Sequence, residues 1–150
     1  MKYENSKIKI GVVGAGGRIG AELLKLIQQE KSFEPSLGIG NQSVGFINNV
    51  TEFTDISTKF NTLDILIDFS SPALFLKALE FCKANKIPLV SGTTGLSQEC
   101  HEKIKEAGYS IPVLWAPNMS LGIAILKKSI GVFKSTPHFD YQIEEWHHKH

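Results

Sequence analysis

Residues 7–20 read KIKIGVVGAGGRIG, and this stretch decides the fold. An apolar run that ends in clustered glycines and leads into an amphipathic segment is typical of a buried strand, a tight turn and a helix. Glycines at such a turn occur for steric reasons alone, but they also let the backbone approach a diphosphate at the helix N-terminus. The spacing is G-x-x-G-x-x-G, because Ile19 stands where the strict G-x-G-x-x-G pattern has its third glycine. The loop predicts nucleotide binding, with Arg18 suited to phosphate or the adjacent ribose.

Strand and helix signals alternate along the rest of the chain, which indicates a parallel sheet covered by helices. Strands are predicted at residues 7–13, 36–39, 50–53, 63–69, 88–91, 111–115 and 140–146. Helices are predicted at residues 18–30, from Ser71-Pro72 onward, at 97–107 and at 121–133. The apolar spacing predicts that the first helix buries Ile19, Leu23, Leu26 and Ile27. The second helix is expected to carry inward Leu74, Phe75, Ala78, Leu79 and Cys82.

The composition narrows the class of protein. A chain of 150 residues, 42% hydrophobic, can bury the core of one domain and begin another. A net charge of +1 gives no basic field for nucleic acid, and no apolar run is long enough to span a membrane. The N-terminus lacks the apolar centre of a secretion signal, so a cytoplasmic protein is expected. Cys82 and Cys100 lie in no metal or redox spacing and are expected to be ordinary thiols. Arg18 is the single arginine, which suggests a need there for a planar, bidentate donor.

The last residues, 140–150, begin with an alternating pattern and end in His147, His148, Lys149 and His150. Imidazoles have an ordinary pKa near neutrality, so such a cluster suggests proton transfer or anion binding. Two other interpretations stay open at this point. One is a solvated terminus, and the other is a surface metal site that includes Glu144, although the spacing fits no standard zinc pattern.

Two further loops follow predicted strands, at the strand ends where open α/β sheets bind ligands. Residues 91–95 read SGTTG and residues 116–120 read APNMS. Past the second strand, near Asn41 and Gln42, the sequence has neither the acid that holds the ribose of NAD nor the base that holds the phosphate of NADP. The choice between NADH and NADPH therefore cannot be read.

Taken together, the motifs resemble the 4-hydroxy-tetrahydrodipicolinate reductase family, also called dihydrodipicolinate reductase. The resemblance rests on five stretches in one order: VGAGGRIG at 13–20, DFS at 68–70, SGTTG at 91–95, APNMSLG at 116–122 and EEWHHKH at 144–150. It implies a Rossmann-type, doubly wound parallel sheet at residues 1–120. It further implies that residues 121–150 hold the first helix and strand of an α+β substrate domain.

The resemblance also implies an activity and a set of site residues. The family performs NAD(P)H-dependent reduction of 4-hydroxy-tetrahydrodipicolinate to tetrahydrodipicolinate with loss of water, in lysine and diaminopimelate biosynthesis. His147 matches the catalytic histidine, and His148 matches a histidine that contacts the dicarboxylate substrate. The residues implied to bind NADH or NADPH are Gly14, Ala15, Gly16, Gly17, Arg18, Ile19, Gly92, Thr93, Thr94, Ala116, Pro117, Asn118 and Met119. No bound metal is expected, and the whole protein is expected to be a homotetramer.

The sequence departs from the family pattern after His150, where the family continues with a proton-donating lysine and a Pro-Ser-Gly-Thr stretch that grips a substrate carboxylate. We therefore expect this chain to bind nucleotide but to turn over poorly or not at all. A non-catalytic, redox-sensing nucleotide-binding module is the alternative from a different class, and a metal-binding interaction domain is a third.

Overall fold

The computed structural model describes residues 6–40, 51–53, 63–135, 138–142, 144 and 146. The chain divides into two compact units, Met1–Pro117 and Asn118–His150. Among the described residues, none of the helices has the length and the apolarity that crossing a bilayer requires.

The described part of the first unit is one parallel sheet with helices on both faces. Its strands are β1 (Ile8–Val13), β2 (Phe33–Ile39), β3 (Thr51–Phe53), β4 (Ile65–Asp68), β5 (Leu89–Ser91) and β6 (Val113–Trp115). Its helices are α1 (Arg18–Gln29), α2 (Pro72–Asn85) and α3 (Gln98–Gly108). The strand order is β3-β2-β1-β4-β5-β6, and every pair is parallel. The predicted doubly wound parallel sheet is therefore confirmed.

The core lies on both faces of the sheet because successive side chains of a strand point to opposite sides. Leu66 of β4 faces a large cluster with Phe75 and Leu79 of α2. On the other face, Ile10 and Val12 of β1 pack with residues of α1. Strands buried on both faces appear in sequence as near-continuous apolar runs, which is the pattern of β1 apart from Lys9 and of β4 apart from Asp68.

The prediction of the buried face of α1 is wrong. The helix buries Gly20, Leu24 and Ile27, whereas Ile19 and Leu26 are more than half exposed and Leu23 is half-buried. Only Ile27 of the four residues predicted to face the core is buried. The cause is Gly20, because a Cβ there would overlap the carbonyl oxygen of Gly14. This close contact fixes the rotation of the helix about its axis, so that residues 20, 24 and 27 face the sheet.

Strand β2 begins at Phe33, three residues before its predicted start at residue 36. The added residues include Pro35, which has no N–H to donate to a neighbouring strand. The register of β1 against β2 shifts here, since Ile10 pairs with Pro35 while Gly11 pairs with Leu37. This irregularity lets the strand accommodate the proline.

The starts of α2 and α3 are confirmed. The Ser71 hydroxyl accepts a hydrogen bond from the Leu74 N–H at 3.4 Å, and Pro72 takes the first helical position. The Ser97 hydroxyl accepts from the Cys100 N–H at 3.3 Å. Of the residues predicted to face inward from α2, all are buried except Leu74, which is half-buried.

The second unit contains α4 (Leu121–Ile130), followed by a 3₁₀ turn at Gly131–Ser135. The rings of Phe133 and Tyr141 lie 5.3 Å apart, centroid to centroid. The terminal strand predicted at 140–146 is not found in its described residues, 140–142, 144 and 146, which have no regular secondary structure. A strand needs a neighbour for its backbone groups, and none of this unit's described residues forms one. The assignment of residues 121–150 to a substrate domain stays a prediction.

Candidate functional site

The glycine turn after β1 has a backbone that only glycine adopts readily. Gly14 has φ +82°, and a Cβ there would overlap the carbonyl oxygen of Phe69. The N–H groups of Gly14 and Ala15 both donate to the Ile39 carbonyl, at 2.7 and 2.9 Å. The Gly17 N–H donates to the Gly14 carbonyl at 2.9 Å and closes the turn. The turn is thus held between the ends of β2 and β4.

The third glycine of the motif is Gly20. In dinucleotide-binding turns the third glycine allows close packing between the helix and the first strand. Gly20 is buried and packs directly on the backbone of Gly14 and Ala15, so it performs this role one position later than the strict pattern. The position of Ile19 is therefore not a defect of the motif.

A cleft of about 330 Å³ opens where the carboxyl ends of β1, β2 and β4 meet. This is the place where the strand order reverses, the usual ligand site of a doubly wound sheet. Of the residues predicted to bind nucleotide, Gly14, Gly16 and Gly17 line it. Sequence reasoning missed the other lining residues, which are Gly40, Phe69, Ser70, Ser71 and Leu74. The signal that could have found most of them is their position just after β2 and β4, the two strands beside β1, whereas Leu74 lies in the first turn of α2.

The electrostatics of the cleft favour an anion. The N-terminus of α1 carries the positive end of the helix dipole, and its first turn contains no acidic residue. Gly17, the N-cap residue that precedes the helix, provides no side-chain cap. Backbone N–H groups at such an end bind phosphate oxygens well.

Arg18 and Ile19 do not line this cleft. Both are exposed, and both border a separate depression of about 460 Å³ along α1, together with Glu22, Leu23 and Leu26. Arg18 therefore lies beside the helix N-terminus rather than in the wall of the cleft. Its predicted contact with cofactor stays a prediction.

A buried carboxylate joins the loops that follow β4 and β5. Asp68, fully buried at the end of β4, accepts hydrogen bonds from the hydroxyls of Ser91 and Thr93, each at 2.7 Å. Its second oxygen accepts from the hydroxyl of Ser70. In turn, the Ser70 N–H donates to the Thr93 hydroxyl oxygen at 2.9 Å, and the Thr93 N–H donates to that of Ser91 at 3.2 Å. Sequence reasoning placed Asp68 in a motif but gave it no role.

The loop at residues 91–95 packs against the cleft wall. A Cβ at Gly92 would overlap the ring of Phe69, which itself lines the cleft. Thr93 is buried and its hydroxyl is used within the Asp68 network, whereas Thr94 is exposed. The indole N–H of Trp115 donates to the Thr93 carbonyl at 3.0 Å, and the ring of His101 packs edge-on against that indole at 4.7 Å.

The residues after β6 fall in both units. In the first unit, the Ala116 N–H donates to the Ser91 carbonyl at 3.0 Å, and Pro117 follows. In the second unit, the Asn118 carboxamide oxygen accepts from the Ser120 N–H at 2.8 Å, and Met119 is about half exposed. His147 and His148 lie outside the described residues. Their predicted roles stay predictions.

Both cysteines are buried free thiols. Burial, with a smaller effect from the nearby Asp68 charge, raises the pKa of Cys82 from 9.0 to about 12. Within the described residues, no group of three or more His, Cys, Asp or Glu side chains is arranged to hold a metal ion.

The strand order, together with a glycine turn where that order reverses, defines an α/β domain of the Rossmann type. The dipicolinate-bound dihydrodipicolinate reductase of a Paenisporosarcina species shares the fold, with TM-score 0.71 and 19% identity over 87% of this chain and 54% of that one. Aspartate dehydrogenase from Thermotoga maritima does so with TM-score 0.59 and 19% identity, over 81% of this chain and 50% of its own. At these identities the likeness shows the fold alone.

Sequence comparison identifies the family. Residues 8–119 match the family described as dihydrodipicolinate reductase, N-terminus. The 4-hydroxy-tetrahydrodipicolinate reductase of Bdellovibrio bacteriovorus is 39% identical over 146 residues, 95% of this chain and 58% of the relative. That of Sulfurimonas denitrificans is 37% identical over 146 residues, 95% of this chain and 57% of the relative. The chain belongs to the dihydrodipicolinate reductase family, and it spans somewhat more than half the length of these relatives.

Proposed function

We propose that this chain is the nucleotide-binding part of a 4-hydroxy-tetrahydrodipicolinate reductase, and that its cleft holds the diphosphate of NADH or NADPH. The observation that carries the proposal is the cleft at the end of β1. There Gly14, Gly16 and Gly17 present backbone at a helix N-terminus that has no side-chain cap and no acid in its first turn. A diphosphate would complement the helix dipole and accept a hydrogen bond from the Gly16 N–H, since the N–H groups of Gly14 and Gly17 already donate to the Ile39 and Gly14 carbonyls.

The shape of the turn fits this ligand. Gly14 adopts a positive φ and packs on the Phe69 carbonyl, so the turn is tight and free of side chains on that side. Ser70 and Ser71 line the same cleft and make that wall polar. A volume of about 330 Å³ accommodates part of a dinucleotide, and the remainder of the cofactor would extend along the carboxyl edge of the sheet.

The catalytic part of the proposal comes from the family. Residues 92–94 and 116–119 would lie along the nicotinamide, His147 would be catalytic, and His148 would contact the dicarboxylate. When bound, the nicotinamide supplies a hydride. The hydroxylated ring of the substrate loses water, and the resulting conjugated imine gains that hydride and a proton. Imidazolium groups beside the ring would stabilise the negative charge that develops on it.

The alternative function is nucleotide binding without catalysis, as in a redox-sensing module. It is favoured by the location of the described cleft, which is built from residues of the first unit alone. A module of this kind would bind nucleotide as the reductase does, but would not oxidise it. The two functions therefore differ in turnover and not in affinity.

The test is to titrate the 150-residue chain with NADH and with NADPH in a calorimeter, and then to follow oxidation of each with substrate formed in situ from pyruvate and aspartate semialdehyde. Binding of either nucleotide is the expected result. Absence of binding up to about 1 mM would contradict the proposal. Turnover would establish the reductase, while binding without turnover by both this chain and a full-length version would favour the sensing module. The homotetramer proposed for the whole protein is tested by its mass in solution.

A further inference from the structure

Asp68 is an unusual residue for the core of a protein because its side chain is a carboxylate. It is fully buried at the end of β4, whose other residues are apolar. Burying a carboxylate is unfavourable unless hydrogen bonds compensate its lost hydration. Three hydroxyls donate to it, from Ser70, Ser91 and Thr93. An apolar residue would fill the same space without that cost, so packing alone does not explain an acid here.

The three donors belong to the ends of two neighbouring strands. Ser70 belongs to the loop after β4, Ser91 ends β5, and Thr93 belongs to the loop after it. Two of the hydroxyls also accept a backbone N–H. The Thr93 hydroxyl accepts the Ser70 N–H, and the Ser91 hydroxyl accepts the Thr93 N–H. Their protons are thereby directed at Asp68. The carboxylate is the common acceptor that fixes one loop against the other.

Phe69 connects this network to the cleft. Its carbonyl contacts Gly14, its ring contacts Gly92, and it stands between Asp68 and Ser70 in the chain. Phe69, Ser70 and Ser71 form the cleft wall opposite the glycine turn. Any change in the relative position of the two loops therefore moves the wall that faces Gly14, Gly16 and Gly17.

We propose that Asp68 is a positioning residue of the nucleotide site, which holds the 69–71 wall and the 92–94 loop at the separation that the dinucleotide requires. The inference rests on the proposed function, because it assigns Asp68 a part in the same nucleotide site. Asp68 itself does not touch the nucleotide. It acts through Ser70 and Thr93, and through Phe69 next to it.

The experiment compares Asp68→Asn with Asp64→Asn in the whole 150-residue chain. The three donors use both oxygens of the Asp68 carboxylate, whereas the asparagine amide has a single acceptor oxygen. Asp68→Asn therefore keeps the shape of the side chain but breaks the network. Asp64 is the matched control. It directly precedes β4, at the amino end of the strand that Asp68 ends, and its carboxylate accepts the Lys9 backbone N–H at 2.8 Å. Affinity for NADPH and NADH is measured by calorimetry. The indole N–H resonance of Trp115 is followed by NMR, because this group donates to the Thr93 carbonyl.

We expect Asp68→Asn to weaken binding of the nucleotide at least tenfold and to shift the Trp115 resonance. We expect Asp64→Asn to change neither, whatever it does to stability. Unchanged affinity in a folded Asp68→Asn chain would overturn the inference while leaving the proposed function intact. A parent chain that binds neither nucleotide would overturn the proposed function and this inference with it.

Ser91→Ala covers the case in which Asp68→Asn fails to fold. It removes one buried donor that does not line the cleft. A three- to fivefold loss of affinity, with the Trp115 resonance shifted, is the expected result. Parent-like affinity in Ser91→Ala, next to an unfolded Asp68→Asn, would show that the network supports the fold and not the site.

Discussion

The α-carbon of Gly14 faces the carbonyl oxygen of Phe69 with no room for a Cβ between them. The contact joins the ends of β1 and β4, the two strands at which the order of the sheet reverses. It explains why the turn needs glycine at this position for two independent reasons, its positive φ and its close approach to another backbone.

Gly14→Ala should therefore destabilise the chain. The left-handed conformation costs an alanine roughly 1 kcal/mol or more, and displacement of the Phe69 carbonyl adds to that, so we expect a loss of about 2 kcal/mol or more in the free energy of unfolding. Urea unfolding measures it. Gly108→Ala is the control, because nothing lies within 4 Å of a Cβ there. Equal stability of the two variants would contradict the described turn.

Gly17→Asp should separate stability from binding. An aspartate at the N-cap accepts N–H groups of the first turn, but relative to glycine it stabilises a helix by only about 0.3 kcal/mol, and its Cβ would lie 3.2 Å from the Gly14 carbonyl oxygen. Its charge opposes a diphosphate in the same place. We expect a melting temperature close to that of the parent and at least a tenfold weaker affinity for NADPH. Gly17→Asn caps the helix without the charge and should bind more tightly than Gly17→Asp. Equal affinities of the two variants would remove the diphosphate from this helix end.

The identity of the buried face of α1 can be checked by making the same leucine-to-alanine substitution at two positions of the helix. Leu24 is 1% exposed and Leu26 is 58% exposed. Leu24→Ala should lower the free energy of unfolding by about 2–5 kcal/mol through loss of burial and a residual cavity. Leu26→Ala should change it by about 0.5 kcal/mol or less. The prediction fails if Leu26→Ala is the more damaging of the two.

Cys82 should make the chain sensitive to alkali. Because burial raises the pKa of its thiol from 9.0 to about 12, the folded chain keeps the proton at pH values where the unfolded chain releases it. Below pH 9 the thiol has no effect on the pH dependence, and between pH 9 and 12 it lowers the free energy of unfolding by about 1.4 kcal/mol per pH unit.

The measurement for Cys82 is urea unfolding at several pH values from 8 to 10.5, in the parent and in Cys82→Ala. Other titrating groups are common to both chains and cancel in the difference between their slopes. A Cys82→Ala chain whose stability falls as steeply as that of the parent would refute the assignment.

His147→Gln is the test of the catalytic histidine, and it requires a full-length version of the protein. The imidazolium would act on charge that develops during the reaction, so its removal should lower kcat much more than it changes cofactor affinity. Arg18→Ala should show the opposite pattern, a weaker affinity for cofactor with less effect on kcat. Near-normal kcat in His147→Gln would contradict its assigned role.

The sequence predicted those features that depend on local pattern. The glycine turn, the alternation of strands and helices, the cap at Ser71 and the start of a helix near Ser97 are each encoded within a few residues, and each is present. Leu63 to Phe69 was predicted as a single strand because it is mostly apolar, and the shorter β4 lies within it. Local chemistry is sufficient for such features.

Features that depend on contacts between distant residues were not predicted. The buried face of α1 follows from the packing of Gly20 on Gly14, which the hydrophobic period of the helix does not contain. The start of β2 depends on a register shift that makes room for Pro35. The role of Asp68 depends on Ser91 and Thr93, which are 23 and 25 residues away in sequence. In each case the deciding partner belongs to another element.

The ring of Phe69 occupies the space that a side chain at position 92 would need. A residue larger than glycine at position 92 therefore requires a residue smaller than phenylalanine at position 69. Relatives that diverge here should change both positions together. An engineer who wishes to reshape the cleft wall should vary the pair as one unit.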